Sequence, residues 1–262
     1  MAEETKDIAV REVSTMMERP SFITGGNEGT QHIKKEDLMM PRLALAQDLS
    51  PETKRIEVTK YIDGLTSGQF FNNVTKTNYG AGPLKFMVVR GDRPRFVEFF
   101  PRDSNEGKGV KRMNVPANDP ATRFGANGEK PTATKFYDFI IVLLPSREVI
   151  ALSFKSSGLK IARELNAMIK MRNAPVYTGI YELRSEQTKN DKGIFFVPQV
   201  KNAGWPTNDE AGKELVAYTQ MLYEGLKDAD VNISHEGETH PDEEEEFAYG
   251  ANARPGAAPD EM

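Results

Sequence analysis

The strongest alternation of apolar and polar positions runs from Lys135 to Leu144, KFYDFIIVLL. Tyr137, Phe139, Ile141 and Leu143 fall on one side, and Phe136, Asp138, Ile140, Val142 and Leu144 on the other. This predicts the principal strand. Pro145-Ser146-Arg147 then turns the chain into a second strand from Glu148 to Phe154. Ser156-Ser157-Gly158 is a cap signal for a helix from about Leu159 to Arg172. Leu159, Ala162, Leu165 and Met168 or Ile169 form its apolar stripe. Two more strands are expected at Val176–Leu183 and Gly193–Val200, joined by the polar turn Glu186–Lys192. Asn208–Lys227 reads as an amphipathic helix with Leu215, Tyr218, Leu222 and Leu226 on one side.

Upstream, apolar residues of segment 33–49 surround Pro41, which opposes one continuous helix. Leu43, Leu45 and Leu49 are expected to open the folded body as a strand or turn. Gly64–Gly82 reads as short strands and tight turns around Phe70, Phe71, Val74 and Tyr79. Then comes LKFMVVRGDRPRFVEFFPR, residues 84–102, where Gly91 and Pro94 predict a bend or hairpin. Arg102–Thr134 has no period and reads as a long loop with nearly balanced charge. The fold class that follows is mainly β with α: an OB-fold-like five-stranded barrel, with a helix between the third and fourth strands and a C-terminal helix. Three segments are expected: a flexible arm over 1–32, an OB-fold-like body over 33–227, and a disordered acidic tail over 228–262.

Charge changes the picture. The chain of 262 residues carries a net charge of −5. From Asp228 onward eleven acidic residues face only Arg254, a net of −10, and residues 1–32 carry −3. The body is therefore at +8, a sign split that points to a polyanionic partner.

Chemistry-bearing residues are sparse. His32, His235 and His240 all lie outside the expected core, and there is no cysteine, which fits a reducing cytoplasm. No GxxxxGK[ST] loop or dinucleotide fingerprint is present, and the body carboxylates lack a two-metal spacing. The expectation is a non-enzymatic protein with no catalytic residue, metal or cofactor. No apolar run reaches the roughly 20 residues of a membrane helix, so no membrane partner is expected.

Residues 84–102 interleave cations with rings, the combination that holds phosphates and unstacked bases of a single strand. They also read as a bent ribbon with core rings and solvated arginines. Alternation sets Arg93, Arg95, Val97 and Phe99 opposite Phe96, Glu98 and Phe100, so rings and arginines share a face only if the strand bulges. The candidate phosphate contacts, at strand ends and turns, are Arg90, Arg93, Arg95, Arg102, Lys155, Lys192 and Lys201. The candidate stacking rings are Phe96, Phe99, Phe136, Phe195 and Trp205; Phe136 is included because it shares a face with Asp138.

The segments KFMVVRGDRPRFVEFFPR, KFYDFIIVLLPSREVIALSFKSSG and PVYTGIYELRSEQTKNDKGIFFVPQV, with Trp205 and the acidic tail, resemble phage-type single-stranded-DNA-binding proteins with an OB-fold. The resemblance spans roughly residues 40–227 plus the tail and is architectural, without an invariant signature. It implies coating of single-stranded DNA in replication and recombination, with little sequence preference. It also implies an acidic tail that modulates DNA binding and recruits replication or recombination proteins. The chain departs from the pattern at its end, Asp260-Glu261-Met262, with Phe247 and Tyr249 placed after the acidic run instead. Alternative expectations are a non-catalytic interaction scaffold and a strand-annealing recombination protein.

Overall fold

The computed structural model describes residues 40–229, apart from 92–93, 101–104, 108, 126–127, 129 and 191–192, together with 231 and 233. It is built on the predicted principal strand. This strand, β7 (Ala133–Leu144), has β4 (Leu84–Gly91) along one edge and β8 (Val149–Lys155) along the other, both antiparallel. On one face Phe86, Val88, Phe139, Ile141, Leu143, Ile150, Leu152 and Phe154 pack beneath Ile161, Ala162 and Leu165 of α1 (Gly158–Met171). On the other face Val89, Ile140 and Val142 meet Tyr218, Leu222 and Leu226 of α2 (Glu210–Leu226). A strand that is apolar on both sides needs cover on both, and the two predicted helices supply it.

The expected five-stranded barrel is corrected to a ten-stranded, curled sheet. The remaining strands are β1 (Arg42–Leu45), β2 (Phe70–Asn72), β3 (Asn78–Gly80), β5 (Arg95–Phe99), β6 (Val110–Arg112), β9 (Ile180–Asn190) and β10 (Gly193–Gly204). The main order is β10-β9-β4-β7-β8-β1-β2-β3, with β1 parallel to β8 and the other neighbours antiparallel. The short strands at 42–45 and 70–80 were visible in the sequence as strands and turns, but nothing local tells them to extend the main sheet.

Gly91 and Pro94 do not make a hairpin. Arg95–Glu98 continue along β7, opposite Ala133–Phe136, where Lys85–Gly91 leave off opposite Phe139–Leu144. The ribbon is one interrupted edge with a register shift between Val88 and Arg90. The long 102–134 loop is not structureless either. It returns as β6, paired to β5, and forms a 3-10 turn at Pro120–Thr122 capped by the Asp119 side chain. Glu98, buried beneath β6, takes the Arg112 guanidinium and the Lys111 ammonium, and Arg112 also holds Asp119 at 3.0 Å. Ser157 does sit at the N-cap of α1 but makes no side-chain cap bond. The arm at 1–32 lies outside the described residues. Val231 packs on the α2 side of the core and Ile233 bridges to Met40, so the fold carries contacts a few residues past Asp228.

The sheet curls until the loop after β1 reaches the outer edge of β10. There Gln47 replaces a strand: its Nε2 donates to the Phe196 carbonyl at 2.8 Å, and its Oε1 accepts from the Phe196 amide at 3.0 Å. Gly68 makes the approach possible, because a Cβ there would stand 2.6 Å from the Phe196 ring. Two residues on, Pro198 occupies the same outward backbone position without an N–H to offer, which blunts the rest of this edge.

Truncating Gln47 to Ala leaves both Phe196 backbone groups without their partner, which costs about 1–3 kcal/mol. Urea unfolding is expected to show that loss. An unchanged midpoint would mean that water satisfies the gap and that the clasp is dispensable.

Carboxylates at the β5–β6 junction carry a pH dependence. Burial pushes Glu98 upward, but the hydrogen bonds and charges of Arg112 and Lys111 outweigh it and hold the carboxyl below its usual range. Asp119 is held low by Arg112 and the Ala121 amide. A depressed folded value means the stabilisation is present above the ordinary values of about 4 and is lost as pH falls through the folded ones. Residue-resolved NMR is therefore expected to show β6 detaching in acid, below about pH 4, before β7 and β8 lose their signals.

Candidate nucleic-acid interface

Pairing along β7 decides which predicted residues reach solvent. The outward set at its N-terminal end is Phe136 and Asp138, and both are covered. Phe136 is 0% exposed, packed with Val97, Phe99 and Val110, its ring centroid 6.4 Å from that of Phe99. Asp138 is 2% exposed and accepts from the Arg95 guanidinium and from Ser153 Oγ at 2.5 Å. Arg95 also lies over the Phe136 ring at 4.7 Å. The polar neighbour that suggested exposure of Phe136 is thus a buried carboxylate with its own cation. Phe99 and Phe136 are core rings, and Arg95 is a buried-pair partner rather than a free phosphate contact.

Arg90 is also engaged in the fold. Its Nη1 donates to the carbonyls of Leu226 and, at 2.8 Å, Ala229, closing the C-terminal end of α2. Trp205 stands 54% exposed, its ring under the Arg172 guanidinium at 4.5 Å. Arg172, at the C-cap of α1, also donates to the carbonyls of Gly204 at 2.7 Å and Ile180 at 2.9 Å, and lies 4.6 Å from the Tyr181 ring centroid. Gly179 leaves room for that guanidinium, which a Cβ would meet at 2.7 Å. Trp205 is therefore anchored on one face while the indole stays open to solvent. Arg93, Arg102 and Lys192 lie outside the described residues.

The accessible candidates gather elsewhere. Phe96 and Lys135 are register partners, and the Lys135 ammonium sits 6.0 Å from the Phe96 ring and 5.1 Å from that of Tyr137. All three are half-buried. Tyr137 pairs with Phe154, and Lys155 follows at the end of β8. β4 spans only Ile180–Leu183 of β9, so the rest of β9 and the first half of β10 project as a two-stranded arm. Phe195 is half-buried on this arm, Ile194 is 47% exposed, and Lys189 lies opposite Ile194. Lys201, Glu182 and Lys85 form one row across β10, β9 and β4.

Behind the arm lies a cleft of about 140 Å³ between β1, the end of β8, the start of α1 and β10. Arg42, Asn73, Ser153, Lys155 and Phe196 are among its lining residues, and so is Glu52. Lys135, Tyr137, Arg42 and Glu52 are not among the residues expected at an interface from the sequence. Lys135 and Tyr137 were legible as same-face neighbours in KFYDF, whereas Arg42 and Glu52 carry no local signal.

A family model covers residues 11–232 of this chain, which includes every strand and helix described above. The chain belongs to the Pam3 phage gp34-like protein family. That membership places it among phage proteins. No curated protein and no solved structure matches it. Among the described residues of this family member, no helix is long and apolar enough to cross a membrane.

Removing Arg95 leaves the Asp138 carboxylate buried with no guanidinium, so Arg95→Ala is expected to cost about 3–5 kcal/mol in urea unfolding. Lys201→Ala, on the exposed end of β10, is expected to stay within about 0.5 kcal/mol. Equal small losses at both sites would show that Arg95 is not a structural partner.

Proposed function

We propose that this phage protein binds single-stranded nucleic acid, coating DNA strands with little overall sequence preference in replication or recombination. The observation that carries the reading is the Phe96–Lys135–Tyr137 group, two half-buried rings with an ammonium between them at the N-terminal end of β7. Rings take unstacked bases and ammonium groups take phosphates, and neither contact depends on sequence. Strand order supports it. Within the larger sheet, β9-β4-β7-β8 has the spatial order of a Greek key, with α1 between β8 and β9 and β10 following as a hairpin. An OB-fold is a Greek-key barrel of five strands that binds oligonucleotides on its sheet face and loops. In this chain β1 stands beside β8, where a five-stranded barrel would close on β10, and Gln47 completes the curl.

On this reading the strand runs from the Phe96–Lys135–Tyr137 group past Lys155 towards the arm bearing Lys189 and Phe195, with Lys201 and Trp205 towards the far end of β10. The acidic tail is a competitor for the same surface. Residues 241–262 hold seven acidic side chains against Arg254, a net of −6.

Titration of labelled oligo-dT, followed by anisotropy and by Trp205 fluorescence, is the direct test. With four cations engaged, the slope of log affinity against log salt is expected near −3, at about −0.7 per contact. Lys135→Ala lowers the slope by about one contact, and Phe96→Ala weakens binding by about 1–3 kcal/mol. Removal of residues 241–262 tightens binding at low salt. Absence of binding even at low salt would sink the proposal.

A further inference from the structure

Two of the most exposed apolar side chains in the fold, Ile56 at 86% and Val58 at 84%, share one loop that simple coating does not use. Lys54–Lys60 are exposed throughout, yet their backbone is tightly turned. The Glu57 amide donates to the Lys54 carbonyl at 3.0 Å, and the Lys60 and Tyr61 amides both donate to the Glu57 carbonyl at 2.8 Å. Arg55 Nε donates to the Tyr61 hydroxyl at 3.2 Å. Beneath these turns Ile62 and Leu65 pack with Ala46 and Phe71. The tip is therefore ordered while its two aliphatic side chains stand in water. Among the described residues the Lys54 and Lys60 ammonium groups have no ion-pair or hydrogen-bond partner. With Arg55 they set three positive charges against Glu57 alone. Both limbs of the loop are fixed to the arm. Gln47 bonds both backbone groups of Phe196, and Gly68 lies against the Phe196 ring, where a Cβ would stand 2.6 Å away. The loop thus stems from the edge of the strand that carries Phe195.

We propose that the Lys54–Lys60 tip is a wedge for the first base pair where a bound single strand runs into duplex. Ile56 and Val58 part the bases there, while Lys54, Arg55 and Lys60 hold the flanking phosphates. This rests on the single-strand reading and adds to it a substrate, the strand–duplex junction. The type of side chain carries the distinction. Aromatic rings are platforms for bases that are already unstacked. Isoleucine and valine have no π-face to offer such a base, but apolar side chains set among cations are what enters and unstacks a base step while the phosphates are held. An anionic lipid surface would also accept aliphatic tips ringed by cations. The stem of the loop on the arm favours nucleic acid, because it puts the tip beside the course assigned to the strand.

The test uses the full chain and a duplex with one oligo-dT overhang, carrying 2-aminopurine either at the first paired position or in the duplex interior. This base brightens when it is unstacked. About threefold brightening is expected at the first pair and none in the interior. The double variant Ile56→Ser with Val58→Ser, altered only at the surface, abolishes the brightening and leaves the affinity for oligo-dT within about twofold. Vesicles of phosphatidylserine and phosphatidylcholine are expected not to bind the chain. A dark first pair, brightening that survives the double variant, an equal loss of oligo-dT affinity in that variant, or vesicle binding that the variant removes overturns the wedge. Each of these leaves the single-strand reading standing, provided that the unaltered chain binds oligo-dT with the expected salt slope. Failure of the unaltered chain to bind any strand overturns both.

Discussion

Burial of β7 on both faces is the constraint on which the rest of the structure depends. Its residues from Phe139 to Leu143 are almost inaccessible, and their side chains alternate between two separate apolar layers. Each layer must be sealed from water, so α1 and α2 take opposite faces of one sheet. The strands beside β7 inherit the same demand. β4 contributes Phe86 and Val88 to one layer and Val89 to the other, and β8 contributes Ile150, Leu152 and Phe154 to the first. Arg90 ties the end of α2 to β4, and Arg172 ties the end of α1 to β9 and β10. Two arginines that a charge count assigns to a polyanion are thus used to close helix ends.

The same strand changes character towards its N-terminal end. Apolar cover gives way to paired charge: Asp138 with Arg95, then Glu98 with Arg112 and Lys111. These pairs engage Arg95, Arg112 and Lys111. Lys135 at that end lies between the Phe96 and Tyr137 rings, and Lys155 lines the cleft. The functional reading therefore rests on few residues, set by the register of β5, β7 and β8 rather than by the overall charge of the body.

Several elements were legible from local pattern. KFYDFIIVLL, the turn at Pro145-Ser146-Arg147 and the amphipathic stripes around Leu165 and Leu222 each carry their own periodicity, and each lies within a residue or two of its predicted bounds. The break at Gly91–Pro94 was legible as a break, but its kind was not. A hairpin and an interrupted edge share the same turn residues, and only the partner strand distinguishes them. Phe136 shows the same limit at the site. Its neighbour Asp138 marks a solvent face only if nothing covers it, and Arg95, forty-three residues earlier, does.

Sequence alone determined the element types, the two-sided apolar character of β7, the sign split between body and tail, and the scarcity of histidine and cysteine. These depend on neighbours along the chain or on composition. Tertiary structure alone decided that ten strands form one curled sheet, that Gln47 clasps Phe196, and that Glu52 and Arg42 line one cleft with Lys155. Those features join residues up to 149 positions apart. Hydrogen-bond geometry and exclusion of water operate on distance in space, and the local pattern contains no record of which distant segment will arrive.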